Sequence, residues 1–490
     1  YYLSLETQQV IALTGPQHTK MNLFTIAPLQ WWQREFPAKT GTDWDSAADT
    51  MMRLCTRRGI FSPEILRGRG AWYDDGRIVL HLGDKLYVDK TPFSPINVQS
   101  RWVYERALPM HADIDDALSV DEGKQFLELI EMLPWASDMD AAYLAGWCVI
   151  AHIGGVMNWR PHVWVTGSKG SGKSHVMSQI VRPVLGDNCL FVVSETTEAG
   201  VRQSLRHDSL PVLFDEAAGE DQRSQDRLQR ILALVRQSSS ETGGKIAKGM
   251  VSGHAMSFQI RSCFAFSSIN ASLIQQSDAS RVTVVELRQD RRKVDFETLV
   301  SAETRLLSDL FIARFYARAI RLAGVIRANA QTFSRVVAAL MGEQRAGDQL
   351  GTLLAGAWSL RSDDIVTLET ASAWIHSHDW IETKADVQSQ SDEKNLLDFI
   401  LQQVVKIQTG TGQRDRTIGE LVDDVRMNQF DSEVSQRALG RLGLRVDGLG
   451  LIVSNTADGL RRLLKTTAWA VSWSKVLRRL PGAEPKGVSY

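Results

Sequence analysis

The octapeptide Gly167-Ser168-Lys169-Gly170-Ser171-Gly172-Lys173-Ser174 constrains the chain more than any other stretch. It fits the G-x-x-x-x-G-K-[ST] pattern of a phosphate-binding loop, in which glycines let successive backbone N–H groups curl around phosphate oxygens. Its context fits as well. His162 to Thr166 is a short apolar run that reads as a strand, and Val176, Met177, Ile180 and Val181 are spaced for the buried face of a following helix. The helix N-terminus adds a partial positive charge at the loop. The pattern predicts that Lys173 reaches the β- and γ-phosphates of ATP and that Ser174 holds Mg²⁺. A glycine-rich turn that matches by chance is the rival reading, and the strand–loop–helix order disfavours it.

Composition bounds the class. At 490 residues, with 43% hydrophobic and 23% charged residues, the chain has the make-up of a well-cored protein of about three domains. The formal net charge of −1 excludes a global basic field, so nucleic-acid binding has to come from a local surface. Cys55, Cys148, Cys189 and Cys263 contain no C-x-x-C pair, which argues against a disulfide framework and for reduced thiols in the cytoplasm. The most apolar window, Ala141 to Met157, carries His152 and falls short of a clean span, so a buried helix is expected and no membrane partner.

The motifs after the loop come in an informative order. Pro211-Val-Leu-Phe-Asp215-Glu216 is an apolar strand ending in two carboxylates, 42 residues beyond Lys173 (215 − 173). At such a strand tip Asp215 orients Mg²⁺ and Glu216 polarises the attacking water, whereas in isolation the pair reads as a solvated acidic turn. Ser262 to Ile269 is another apolar strand and ends at Asn270, placed to sense the γ-phosphate; a plain turn Asn is the alternative. Asp278-Ala-Ser-Arg281 precedes a last strand, Val282 to Leu287, and Arg281 is either an arginine finger for a neighbouring copy or a surface arginine. Between the carboxylates and Asn270, Leu228, Ile231, Leu232 and Val235 mark a helix. After it, glycines bracket Lys245, Lys248 and His254 in a segment that reads as a β-hairpin with cations for a DNA backbone, or else as an exposed loop.

Loop, Asp-Glu strand, lysine/histidine hairpin, sensor Asn and finger Arg in this order resemble the superfamily 3 helicases, AAA+ ring motors of viruses and plasmids. The likeness extends to the helicase half of phage and mobile-element primase–helicases, supported by Glu198-Ala-Gly-Val-Arg-Gln-Ser-Leu205 and by the stretch from Gly70 to Asp84. The resemblance implies an α/β fold with an AAA+ P-loop core, a parallel sheet of order 5-1-4-3-2 and a helical lid. It also implies a homo-oligomer, typically a hexamer, that moves 3′ to 5′ on single-stranded or forked DNA in a bacterial cell, with Lys245, Lys248 and His254 as the DNA grip. A primase partner is expected, either upstream of Tyr1 in the same chain or as a separate protein.

The flanks complete the division. Residues 1–108 read as a small α+β collar through which DNA enters, with Trp31, Trp32, Trp44 and Trp72 filling a core. Residues 109–290 form the ATPase core, 291–383 the lid, where Arg345 is one arginine among many that could meet the nucleotide, and 384–396 a polar linker. Residues 397–490 resemble a winged helix, or else a generic helix–hairpin interaction module: a Thr417/Glu420 capping box, a helix from Ser432 to Leu442, then two short strands around Asp447-Gly448. Its last helices interleave Arg461, Arg462, Lys465, Lys475, Arg478 and Arg479 with Trp469 and Trp473, a pattern that suits DNA or a solvated face over a Trp core. An AAA+ switch or remodeller without unwinding activity, such as a loader or defence ATPase, is the competing function. Protein-gripping rings present an aromatic, and none lies between Gly243 and Ser257. A GTPase-like switch is disfavoured by the lack of an Asn-Lys-x-Asp run.

Overall fold

A computed structural model describes residues 1–193, 195–215, 222–241, 246–249, 255–271, 273, 276–291, 295–380, 383, 392–409, 412–428, 431–448, 450–465, 467, 469–485. Side chains of 222, 246–249, 255–258, 276, 291, 409 and 412 are not among the described groups. The chain divides into two compact units, Tyr1–Asp379 and Trp380–Tyr490.

The first unit opens with an aromatic cluster. Helix α1 (Trp44–Arg58), capped by the Asp43 carboxylate, packs near fully buried Trp32, with Trp31 and Trp44 against it. Next come four antiparallel strands, β1 (Gly70–Asp74), β2 (Arg77–His81), β3 (Leu86–Val88) and β4 (Thr91–Phe93), in that spatial order. Trp72 is buried and donates its indole N–H to the Gly68 carbonyl at 2.8 Å. All four of these tryptophans therefore fill cores. The small sheet is welded to the rest of the unit: a Cβ on Gly155 would overlap the Ala71 carbonyl oxygen, and Arg69 meets Asp208 with two N–H···O bonds of 2.6 and 2.9 Å.

Helix α2 (Val120–Glu131) begins at a Ser119/Glu122 capping box, and α3 (Asp138–His152) is buried on nearly every face. The central sheet comes next: β5 (His162–Gly167), then a helix over 173–185 (α4), β6 (Leu190–Val193), α5 (Glu198–Leu205), β7 (Val212–Asp215) and α6 (Gln222–Ser238). A hairpin of β8 (Ile246–Gly249) and β9 (Ala255–Phe258) leads into β10 (Phe264–Ser267) and β11 (Val282–Leu287). The five core strands are all parallel and lie in the order β6-β7-β10-β5-β11. Their runs are apolar because both faces are covered. Trp164 stacks on Phe266 at 4.9 Å, and Phe214 and Phe264 join them over Ile231 and Leu232 of α6.

Five helices close the first unit: α7 (Phe296–Leu306), α8 (Asp309–Arg321), α9 (Ala323–Met341), α10 (Gln344–Ser359) and α11 (Leu368–His376). Helices α3 and α10 cross through bare glycines. A side chain on Gly146 would overlap the Leu353 carbonyl, and one on Gly356 would overlap Gly146. That crossing accounts for the burial of so apolar a helix as α3 within the unit. Among the described residues no helix is long and apolar enough to cross a membrane.

The second unit comprises α12 (Asp392–Gln402), a hairpin of β12 (Val404–Thr409) and β13 (Gly412–Thr417), α13 (Ile418–Arg426), α14 (Ser432–Leu442), a hairpin of β14 (Leu444–Asp447) and β15 (Gly450–Val453), α15 (Asp458–Leu463) and α16 (Trp473–Leu477). The Thr417/Glu420 capping box is present. Arg416 reaches Asp424 at 3.0 and 3.1 Å, and Ser435 donates to the same carboxylate at 3.0 Å, so one buried acid ties β13, α13 and α14 together. Trp473 is buried, and Trp469 leans on Phe399 with its indole N–H on Asp392. Trp473 lies in the core and Trp469 is half-buried against it.

The α3–α10 crossing yields a stability test. Gly146→Val forces two backbones apart, so it should lower the urea midpoint by the equivalent of about 1–3 kcal/mol, whereas Gly324→Ala, with open space around it, should not.

Candidate nucleotide site and its surroundings

The parallel registers bring the site together. Val193 pairs with Asp215, Phe214 with Phe266, Ser267 with Val165, and Leu287 with Gly167, so every core strand ends on the same edge. On that edge β5 runs into the glycine loop. Gly167, Gly170 and Gly172 have φ of +148°, +80° and +101°, values that an L side chain rarely adopts, which is why the loop needs glycine at these positions. A Cβ on Gly167 would also overlap the Leu287 carbonyl. Lys173 starts α4 and folds its ammonium onto the loop, donating to the Gly167 and Ser168 carbonyls at 2.7 and 2.9 Å. Burial holds its pKa below the ordinary lysine value. Ser168 and Lys169 form the tip, the buried Ser171 hydroxyl has no hydrogen-bond partner, and Ser174 is exposed in the first helical turn. A concave loop with an inward lysine and an unpaired hydroxyl fits a triphosphate.

Asp215 ends β7, separated from β5 by β10 alone, hence about 10 Å away at ordinary strand spacing. The Ser267 hydroxyl, at the tip of β10, donates to the Asp215 carboxylate at 2.5 Å. Ser174 and Asp215 are hard oxygen donors of the kind Mg²⁺ selects, so the residues present fit that ion. Asn270 is exposed three residues past the end of β10 and accepts through its carbonyl from Ser268 at 2.7 Å. The Thr166 hydroxyl donates to the Ile269 carbonyl at 2.7 Å, which ties the Asn270 turn to the residue before the loop. Glu216 lies outside the described residues.

A cavity of about 100 Å³ opens beside the loop, walled by Met132, Leu133, Pro134, His175, Phe296 and Leu299. His175 Nε2 sits 2.8 and 2.9 Å from the two Glu303 oxygens and its ring is edge-on to Phe296, which joins α4 to α7. A larger groove of about 1090 Å³ lies between α9 and α11, on elements that do not touch the loop.

Arg281 is at the opposite edge of the sheet. Val282 pairs with His162 and Leu287 with Gly167, so roughly 17 Å of strand separates Arg281 from the loop of its own chain. Its Nη1 donates to the Ser277 carbonyl at 2.6 Å. The neighbouring Asp278 is taken by Arg236. Burial first, then the adjacent Arg345 and Arg236, depress the Arg281 pKa. Arg345 is 3.4 Å from the Ser280 hydroxyl, so it belongs to this far edge and not to the loop.

The hairpin β8–β9 connects α6 to β10, and its strands pair antiparallel from Ile246–Phe258 to Gly249–Ala255. Lys245 and His254 lie outside the described residues, and of Lys248 only the backbone is described. The root of this hairpin is built from residues that no sequence motif marks. Glu241 accepts from Arg160 at 3.1 Å and from Arg261 at 2.9 Å, while Gln259 donates to the Glu241 carbonyl at 3.0 Å. Burial alone would raise the Glu241 pKa; Arg160 and Arg261 outweigh it and hold the carboxyl below its ordinary value.

No family model and no curated protein matches the chain. Among solved structures it is similar to the NrS-1 C-terminal region, at 10% identity and TM-score 0.31, over 71% of this chain and 95% of that one. It is also similar to the JCV helicase, at 12% and 0.25 over 56% and 66% of the two chains. A third is an MCM homolog from Methanopyrus kandleri, at 13% and 0.26 over 63% and 75%. Likeness at this level does not establish a shared activity, and the chemistry has to rest on the site.

Glu241→Ala leaves two arginines facing each other across the hairpin root. Because the carboxylate is partly open to solvent, the expected loss is about 2 kcal/mol, below that of a fully buried pair. The folded pKa is depressed, so this stabilisation is complete above the unfolded glutamate pKa and fades as pH falls through the folded value. Urea melts of wild type and variant should therefore converge as pH drops below about 4.

Proposed function

We propose that the chain is an ATP-driven DNA helicase of the AAA+ type, a ring of identical copies, six in this reading, that translocates 3′ to 5′ on single-stranded DNA. The observation that carries this is the two-ended sheet. Loop and Asp215 share one edge and Arg281 sits at the other, so the arginine can serve only the site of another copy. Within one site the loop amides and Lys173 bind the β/γ-phosphates. Ser174 and Asp215 would hold Mg²⁺, which would supply positive charge to offset that of the phosphates. Glu216 accepts the proton of the attacking water, Asn270 orients that water, and Ser267 fixes the Asp215 carboxylate. The cavity beside His175, lined by Leu133, Phe296 and Leu299 together with Asp295, is where this reading seats the base. Arg281 from the next copy stabilises charge that develops on the transferred phosphoryl group.

The hairpin is the working part. It joins α6, which comes after the Asp215-Glu216 segment, to β10, which ends at the sensor, so both of its roots are in contact with hydrolysis. Lys245, Lys248 and His254 grip phosphates of the strand in the pore, and residues 1–108 form the collar through which DNA enters. Replication of a phage or other mobile element in the bacterial cytoplasm, with a primase in cis or trans, is the setting this activity fits.

Two measurements test the reading. Glu216→Gln should bind ATP normally yet hydrolyse it about 10²–10³-fold more slowly. Lys245→Ala/Lys248→Ala/His254→Ala should abolish DNA-stimulated ATPase and fork unwinding while basal ATPase and assembly persist. If wild type hydrolyses ATP without DNA stimulation or unwinding, the remodeller reading replaces the helicase.

A further inference from the structure

The second unit carries a charge asymmetry that the motor does not use. Residues 392–433 contain five Lys/Arg and nine Asp/Glu, and residues 434–485 contain nine Lys/Arg and three Asp/Glu. A chain of net charge −1 thus concentrates six positive charges (9 − 3) in the half that begins inside α14. The fold gives those charges a surface. Helix α14 buries Ser435 and Leu439 against the unit's core and exposes Glu433, Arg437, Gly440 and Arg441 on the opposite face, at i, i+4, i+7 and i+8. Gly440 leaves that face bare between the two arginines. Among the described residues Arg437 pairs with Glu433, at 3.2 Å and in open solvent, a pair too weak to withhold it from a stronger anion.

Two neighbouring elements extend the same corner. The β14–β15 hairpin leaves α14 directly, with Arg445 on the face opposite buried Leu444. The start of α15 abuts the end of α14, since a Cβ on Gly459 would come within 2.7 Å of the Arg441 carbonyl. That contact sets α15, which carries the exposed Arg461 and Arg462, against the end of α14 that carries Arg441.

We infer that this corner is a binding site for duplex DNA, separate from the ATP-driven pore. An exposed helix that comes after a first helix and before a two-stranded wing is the arrangement that places a helix in the major groove. Helix α14, about 16 Å long, fits a groove about 12 Å wide. Arg437 and Arg441 meet base edges, with Gly440 permitting close approach. Arg445, Arg461 and Arg462 meet the flanking phosphates. Trp473 is buried, and Trp469 is half-buried against Phe399 with its indole N–H on Asp392, which disfavours stacking on single-stranded bases and favours a duplex.

The site does not depend on the motor, so the test separates the two. The full-length chain, without nucleotide, is titrated against a mixed-sequence 30-base-pair duplex and a single strand of the same length, monitored by fluorescence anisotropy. Arg437→Ala/Arg441→Ala should weaken duplex binding about tenfold or more. Lys394→Ala/Arg426→Ala, an equal charge loss in the acidic half, should change it little. Arg461→Ala/Arg462→Ala should flatten the salt dependence by about 0.9 in log–log slope for each lost phosphate contact. Lys173→Ala should leave all three results standing even if the helicase reading fails. Equal effects of the two double variants on duplex binding, or an unaltered duplex affinity in Arg437→Ala/Arg441→Ala, would overturn the assignment.

Discussion

All five core strands run in one direction, and the two ends of this sheet therefore differ in kind. Loops leaving the strands share one edge, which is where the glycine loop, Asp215, Ser267 and the Asn270 turn converge. Loops arriving at the strands share the other, which is where Arg236 pairs with Asp278, Arg281 donates to the Ser277 carbonyl and Arg345 lies near the Ser280 hydroxyl. Arg236 and Arg281 are half-buried and Arg345 is exposed, so this group of cations has room for a further anion. A neighbouring copy's triphosphate supplies that anion in the proposed ring.

The rest of the first unit holds this sheet and its hairpin in register. Helix α3 lies beneath the sheet and is locked to α10 by the Gly146–Gly356 crossing, while Asp140 at its start accepts from the Glu286 amide of β11. Arg160, just before β5, is fully buried and donates to the Ser238 and Met157 carbonyls as well as to Glu241. The hairpin root is thus bonded to the strand that carries the phosphate loop. In the proposed motor, movement of α6 or β10 on hydrolysis would reach the hairpin through ion pairs and backbone bonds instead of through a slack tether.

Legibility in the sequence tracks locality. The loop, the strand ends and the capping boxes are readable because each is dictated by residues close along the chain: positive-φ glycines, apolar runs closed by a polar residue, Thr417 three before Glu420. Ser267 escapes notice because it looks like any polar residue closing a strand, and only the β7–β10 register puts it on Asp215. The Arg160–Glu241–Arg261 cluster joins residues up to 101 positions apart (261 − 160), which no periodicity encodes. Hairpin β12–β13 is hidden because its charged second strand, Gly412–Thr417, resembles a loop. Sequence alone leaves Arg345 a candidate for its own chain's nucleotide, and the approach of α10 to Ser280 puts it at the other edge.

The central claim is that each active site is completed by the next copy. Complementation tests it most directly. Lys173→Ala has no working loop but an intact Arg281, and Arg281→Ala has the reverse, so each alone should be inactive. Mixed and allowed to exchange subunits at equal amounts, they should recover about one quarter of wild-type ATPase, the share of interfaces pairing an intact loop with an intact arginine. No recovery in mixtures that native mass spectrometry shows to be mixed rings, or full activity of Arg281→Ala alone, would contradict the account.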